Sequence, residues 1–253
     1  MGKYQTRSVV KNKKEEIKTN IKITKHIKKF HENGQLYIDV NYIDDKLDGK
    51  YMEYDINGQL LVEKKYSMGN ILHETIYNGD MRKEISYYYY DGIFNVPLRE
   101  KNYKNNLLNG PSIVYDKKGK FLTYIEYKDD KEHGVYKEYC NGKLSIDCNY
   151  KNGKKEGKYN FYWDNGNLSI DCNYADDKIE GEYKSYYYNG QPEKICNYVD
   201  DKIEGKYKSY YDNGQLYMEC NYVNDEIEGI CNIYLENGEI EEICNYVNGE
   251  KVE

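Results

Sequence analysis

No run of apolar residues in this chain of 253 approaches the roughly 18 that a membrane-spanning helix needs, and none has the make-up of a secretory signal core. The sequence also has no GxxxxGK(S/T), no GxGxxG after a strand-like run, no HExxH and no CxxC. Those absences remove the usual phosphate-cradling loops, the helical zinc protease site and the common zinc-binding pair. Histidine is scarce: His26, His31, His73 and His133 stand at unrelated places, and none lies beside a Ser or Cys as a base beside a nucleophile. They read as scattered surface residues. The expectation is a non-enzyme with no cofactor and no metal. Hydrophobic residues make up 39%, which is lean for a globule of this length and suits a thin layer better than a deep core.

What is present is a tandem repeat. Nine times an Asn-Tyr-like step is followed by a polar turn, a glycine, a tyrosine-rich run, an Asn-Gly-like turn and a second run. From Gly134 the pattern is nearly regular, with Gly157, Gly181, Gly205 and Gly229 closing periods of 23, 24, 24 and 24 residues. In one unit, Lys206 to Tyr211 is rich in Tyr, and Gln215 to Val223 alternates Leu216, Met218, Cys220 and Tyr222 against Tyr217, Glu219 and Asn221. Two strands with one buried face follow from that alternation. Asn213-Gly214 between them is the residue pair of a two-residue type I′ hairpin, in which both take positive φ. The pair recurs at Asn33, Asn57, Asn141, Asn165, Asn189 and Asn237, each before a glycine. Return turns fall at Asp44-Asp45, Asp129-Asp130, Asn152-Gly153, Asp176-Asp177, Asp200-Asp201 and Asn224-Asp225. Their side chains suit turn formation and lack the interleaved ligands of a calcium loop. The fold class is therefore all-β: an elongated single-layer antiparallel β-meander of tandem hairpins about 24 residues long.

Counting from each turn glycine gives two columns for the inner face. One is Leu36, Leu60, Phe121, Leu144, Leu168, Pro192, Leu216 and Ile240, and the other is Tyr42, Tyr66, Tyr127, Tyr150, Tyr174, Tyr198, Tyr222 and Tyr246. Asp39, Glu63, Asp147, Asp171 and Glu219 alternate with them and are expected to face water. The 33 tyrosines supply much of the burial, since a ring fills space while its hydroxyl reaches solvent. Cys148, Cys172, Cys196, Cys220 and Cys244 recur within Cys-Asn-Tyr. Equivalent positions two strands apart lie about 10 Å from each other, too far for a disulfide or a shared zinc. They form a ladder of small buried thiols, while Cys140 and Cys231 fall on first strands, where a cross-strand contact stays open.

Two parts escape the period. Residues 71 to 109 form a degenerate or augmented unit: Tyr77-Asn78-Gly79-Asp80 comes early, Tyr87 to Tyr90 with Asp91-Gly92 starts another hairpin, and Val96-Pro97 suits an edge or bulge. Residues 1 to 24 form a basic leader, unstructured or helical, ahead of the repeat domain at 25–253; residues 1 to 29 hold ten Lys or Arg against Glu15 and Glu16. Lys11, Lys13, Lys14, Lys18 and Lys22 are its candidates for an acidic partner or anionic lipid. Gly2 and Thr6 fit the loose pattern of N-myristoylation. The acidic remainder disfavours nucleic acid.

The frame GxYxxYYxNGQLxxxxNYxxxxxxG, carried by Gly181 to Gly205 and Gly205 to Gly229, resembles the variant class of the membrane occupation and recognition nexus (MORN) repeat, also found in antitoxins of the YwqK family. The resemblance covers about residues 25 to 253. It implies a curved single-layer sheet of hairpins used for protein contact, scaffolding or, in some members, membrane association. The leading expectation is a protein interaction scaffold inside the cell. Alternatives are a membrane-surface module that uses the leader, and an antitoxin-like partner of a toxin. Tyr51, Tyr136, Tyr159, Tyr183 and Tyr207 are read as filling the sheet's own core. Tyr54, Tyr139, Tyr162, Tyr186 and Tyr210, three residues on and so facing oppositely, are the partner-binding candidates, with Tyr187, Tyr211 and Trp163 extending the patch.

Overall fold

The computed structural model describes residues 11–15, 22–89, 92 and 94–252. Its contacts divide the chain into two compact units, one reaching Phe121 with Tyr127–Asp130, the other formed by Leu122–Glu126 and Lys131 onward. Each unit is an antiparallel meander of hairpins, and no helix occurs among the described residues. Part of the basic leader joins the first unit as a strand. Lys11–Glu15 pairs with Lys22–His26 and gives the outer edge of Lys22–Phe30 a backbone partner, so these five residues are neither helical nor unstructured.

The two kinds of turn exchange the conformations expected of them. At Asn213-Gly214 only the glycine has positive φ, +87°. Gly214 N–H donates to the Tyr211 carbonyl at 2.9 Å and Tyr211 N–H to the Gln215 carbonyl at 2.8 Å, which is a type I turn closed by a left-handed glycine. The tight type I′ geometry belongs to the acidic return turns, where Asp176 and Asp177 have φ of 51° and 73°, and Asp200 and Asp201 52° and 69°. Asn141-Gly142 is the exception, with φ of 52° and 79°. Its unit is one residue shorter, and the missing residue leaves room only for the two-residue turn. The opening glycines are explained by backbone as well. Gly181, Gly205 and Gly229 have φ near +81° at an irregularity that splits the return strand, as between Lys202–Ile203 and Gly205–Tyr210.

Register assigns the faces. Tyr207 pairs with Cys220 and Ser209 with Met218, then a bulge shifts the ladder so that Tyr210 pairs with Leu216. The bulge sends the Leu36, Leu60, Leu144, Leu168, Pro192, Leu216 and Ile240 column to the face of the second tyrosine, away from the Tyr222 column with which it was grouped. The deep core is the thiol column instead. Among the described residues nine hydrophobic side chains are buried, and six are cysteines: Cys148, Cys172, Cys196, Cys220, Cys231 and Cys244. The opposite face is not simply solvated. Cross-strand pairs such as Lys50–Glu63 at 3.2 Å, Lys137–Asp147 at 3.4 Å and Lys208–Glu219 at 3.6 Å line it. Asp39 is buried against His26 and Lys28.

The irregular segment of the first unit adds one strand, not a hairpin. Tyr88 donates its hydroxyl to the Tyr115 carbonyl at 2.8 Å and its N–H to the Val96 carbonyl at 2.9 Å. Those are the contacts Tyr211 makes beside its own turn. Tyr87-Tyr88 therefore stand for Tyr210-Tyr211. Between the turns at Asn57 and after Tyr88 lie three strands, Leu60–Ser67, Asn70–Asn78 and Met81–Tyr87, where other units have two. A meander alternates ends, so an odd strand moves the later turns of this unit to the other edge. Ile71 N–H donates to Asn95 Oδ1 at 3.1 Å, and Asn105 N–H to the Asp80 carbonyl at 2.9 Å, which places the two turn types on exchanged edges. The faces exchange too. Lys64, two before Tyr66 as Cys220 is before Tyr222, shares one face through direct pairing with Glu74, Ile85, Glu100 and Ile113. Glu100, three before Tyr103, holds the place of Glu219.

Candidate aromatic channel

The sixth residue after each opening glycine forms a ladder along the second unit. Trp163 Nε1 donates to the Tyr186 carbonyl at 3.0 Å, Tyr187 OH to that of Tyr210 at 2.7 Å, and Tyr211 OH to that of Tyr234 at 2.8 Å. Each ring is thus fixed by the repeat that follows it. Turn asparagines add to this, Asn165 Nδ2 reaching the Tyr188 carbonyl and Asn189 Nδ2 that of Asp212, both at 2.7 Å. The second residue after the glycine forms a parallel ladder on the same face, with Tyr183 packed 5.3 Å from Tyr198 and Tyr207 5.1 Å from Tyr222 between ring centres. Between the ladders the fourth position is Ser185 or Ser209. Trp163, Tyr183, Tyr187 and Tyr207 are walls of the resulting channel, about 440 Å³ in volume, with Ser185, Ser209, Glu193 and Lys194 among its lining.

Charge in the channel is held by specific contacts. Glu193 Oε2 accepts from Ser185 Oγ at 2.9 Å, and the Lys194 ammonium lies 4.5 Å from the centre of the Tyr183 ring. Burial pushes the Tyr183 and Tyr222 phenols up to about 12 and the Cys148 and Cys172 thiols up to about 11. Protonated, buried thiols are poor nucleophiles at neutral pH. Register and packing also resolve the open cross-strand cysteine contact: Cys231 pairs with Cys244, and both pack with Cys220 in one buried cluster. Among the described residues no group of three or more His, Cys, Asp or Glu is placed to hold a metal. The return-turn carboxylates bond backbone instead, Asp201 Oδ1 accepting from Ile179 N–H and Asp225 Oδ1 from Ile203 N–H, each at 2.6 Å. Nor are the histidines all idle on the surface: His26 pairs with Asp39, and His31 Nε2 lies 3.0 Å from the Tyr54 carbonyl.

Tyr54 belongs to the first unit and Tyr139, Tyr162, Tyr186 and Tyr210 to the second, and all five are half-buried. Tyr210 contributes to the channel, while Tyr162 lines a neighbouring apolar hollow of about 430 Å³ with Phe161, Trp163, Tyr188 and Cys140. Tyr234 and Tyr115, at the same place in their own repeats, bond Glu219 at 2.8 Å and Glu100 at 2.7 Å on the face away from the thiols. Tyr183 and Tyr207, assigned to the core alone, also line the channel. Sequence reasoning gave too little weight to Trp163 and Tyr187 and missed the serine floor. The signal was present: the fourth position is Phe161 and Ile233 in the flanking units. Of the leader lysines, Lys11, Lys13 and Lys14 lie in the first strand and Lys22 opens the second, whereas Lys18 and Gly2 fall outside the described residues.

Comparison with known families agrees with the hairpin period. The model of the MORN repeat variant matches residues 24–44, 155–176, 179–200, 203–224 and 227–248. In the second unit each match runs from one return turn to the next. No curated protein matches the chain. At these five positions the chain carries MORN repeats of the variant class.

Proposed function

We propose that this chain is a non-enzymatic repeat scaffold that holds a protein partner in the aromatic channel of its second unit. The observation that carries the reading is the fixing of Trp163, Tyr187 and Tyr211 on the backbone of the following repeat. Rings already held in place lose little freedom when a partner arrives, which is what makes Tyr and Trp effective anchors. The test is affinity capture with the full chain and with Tyr217→Ala, which truncates a channel-lining ring that is 40% exposed. A captured partner should be lost from the variant. An identical set of partners on both would remove the channel from the reading.

A further inference from the structure

The channel has a period, and that period selects a ligand. Equivalent rings on successive repeats are two strands apart, about 9.6 Å at the usual strand spacing. A polyproline II helix repeats every three residues at about 3.1 Å each, or about 9.3 Å per turn. We infer that the channel binds a basic, proline-rich segment of a protein partner in the polyproline II conformation, with one Pro-x-x-Pro step seated on each repeat. The inference rests on the scaffold reading above and adds the chemistry of the partner.

Several features converge on that ligand. The two aromatic ladders run across the strands and stand four residues apart on them, about 13 Å. That width leaves room between the rings for one slender chain. Tyr and Trp walls are the surfaces on which prolines dock in other polyproline readers, because a preformed left-handed helix loses little entropy on binding. The floor sets the length. Ser185 and Ser209 are small, and the larger Phe161 and Ile233 occupy the same position on either side. The small fourth residue therefore spans two repeats, about 19 Å, or about six residues of polyproline II. Charge sets the sign. Lys131 to Glu253 carries 14 Lys and no Arg against 25 Asp and Glu, and Glu193 lines the channel itself. Lys194, the one cation among the lining residues, stands between Ser185 and Ser209 on the floor with its ammonium against the Tyr183 and Tyr198 rings. The unit's field favours a segment with Arg or Lys beside its prolines.

The experiment is fluorescence anisotropy with the full chain and a labelled decapeptide holding two Pro-x-x-Pro steps and a terminal Arg pair. A second peptide has every proline replaced by alanine. The variant Ser209→Phe copies Phe161, which holds the same position two repeats earlier, so it fills the floor with a side chain this fold already accepts; circular dichroism checks that it is folded. The proline peptide should bind saturably, weaken with salt, and lose at least about tenfold in affinity on alanine replacement and on Ser209→Phe. No binding, or equal binding of the alanine peptide, overturns the inference. Affinity capture with Ser209→Phe separates the two levels. A partner lost from that variant but lacking a proline-rich segment sinks the polyproline assignment and leaves the channel standing, whereas partners indifferent to it remove the channel reading as well.

Discussion

Replacing an opening glycine by alanine tests the backbone argument for the whole repeat. Gly205 has φ +81°, and a Cβ built there meets nothing within 4 Å. Steric crowding therefore contributes nothing, and the cost is that of holding an L-residue in the left-handed region, about 1–2 kcal/mol. Gly205→Asn should cost less, since Asn tolerates that region. Gly134 supplies the contrast. Its φ is +99°, and a Cβ would lie 2.2 Å from Glu126 Oε2, the atom that accepts the Val135 N–H at 3.0 Å. Gly134→Ala must move that carboxylate and break its bond, which adds about 1–3 kcal/mol. Thermal and urea unfolding should rank wild type above Gly205→Asn, Gly205→Ala and Gly134→Ala in that order. An ordinary glycine gains about 0.4–1 kcal/mol on becoming alanine, because the unfolded chain loses freedom. A Gly205→Ala protein as stable as wild type, or more so, would refute the assignment of these glycines to positive φ.

Three further outcomes are expected. In the native protein a maleimide should label Cys140, the exposed thiol, and leave the buried Cys148, Cys172, Cys196, Cys220, Cys231 and Cys244 until unfolding, as intact-mass spectra before and after denaturant would show. Tyr187→Phe removes one hydrogen bond to the next repeat and should cost about 1 kcal/mol in unfolding assays, with the hairpin itself retained. Asp39 is the pH probe: burial raises its pKa, but hydrogen bonds and charge from His26 and Lys28 outweigh that, so the net shift is downward. A depressed carboxylate stabilises the fold above its unfolded pKa and loses that contribution as pH falls through the folded value. Asp39→Asn should therefore be less stable than wild type at pH 7, and the gap should close below about pH 4, measured by melting temperature against pH.

The period, the strand pairs and the thiol ladder were legible because each depends on alternation, which is local. Turn types were not. Asn-Gly favours two adjacent left-handed residues, but the bulge after Gln215 sets the loop length, and with one residue more the hairpin closes through Gly214 alone. The acidic pairs take the left-handed conformation instead, and part of their support comes from the adjoining repeat, as when Asp201 accepts the Ile179 N–H. A residue's own preference does not contain that bond. The face of Leu216 was misread for the same reason, since one bulge reverses the parity of every position before it. The channel failed differently. Its walls were visible as tyrosines, but its floor is defined by what Ser185 and Ser209 are not, and that emerges only when the fourth positions of all units are set side by side.

The inversion in the first unit follows from parity rather than from any single residue. A two-strand repeat returns the chain to the same edge and the same face each time. One extra strand reverses strand direction while the sheet continues to grow the same way, and the operation that does this is a half-turn about the growth direction. It exchanges edges and faces together. The pairing from Lys64 through Glu74, Ile85 and Glu100 to Ile113 shows the exchange, because a position from the buried column of the earlier repeats meets one from the charged column of the later. The junction carries matching polar groups: Lys64 pairs with Glu74 at 2.7 Å, Tyr87 OH donates to Glu74 at 3.0 Å, and Lys83 pairs with Glu100 at 2.5 Å. Where the thiol column would have placed apolar side chains, the sheet instead holds two half-buried carboxylates, each with a cation and a tyrosine hydroxyl. Lys64, Glu74, Lys83 and Glu100 are thus the residues that make the reversal stable, and irregular spacing in this stretch is the trace left in the sequence by a sheet that turns over.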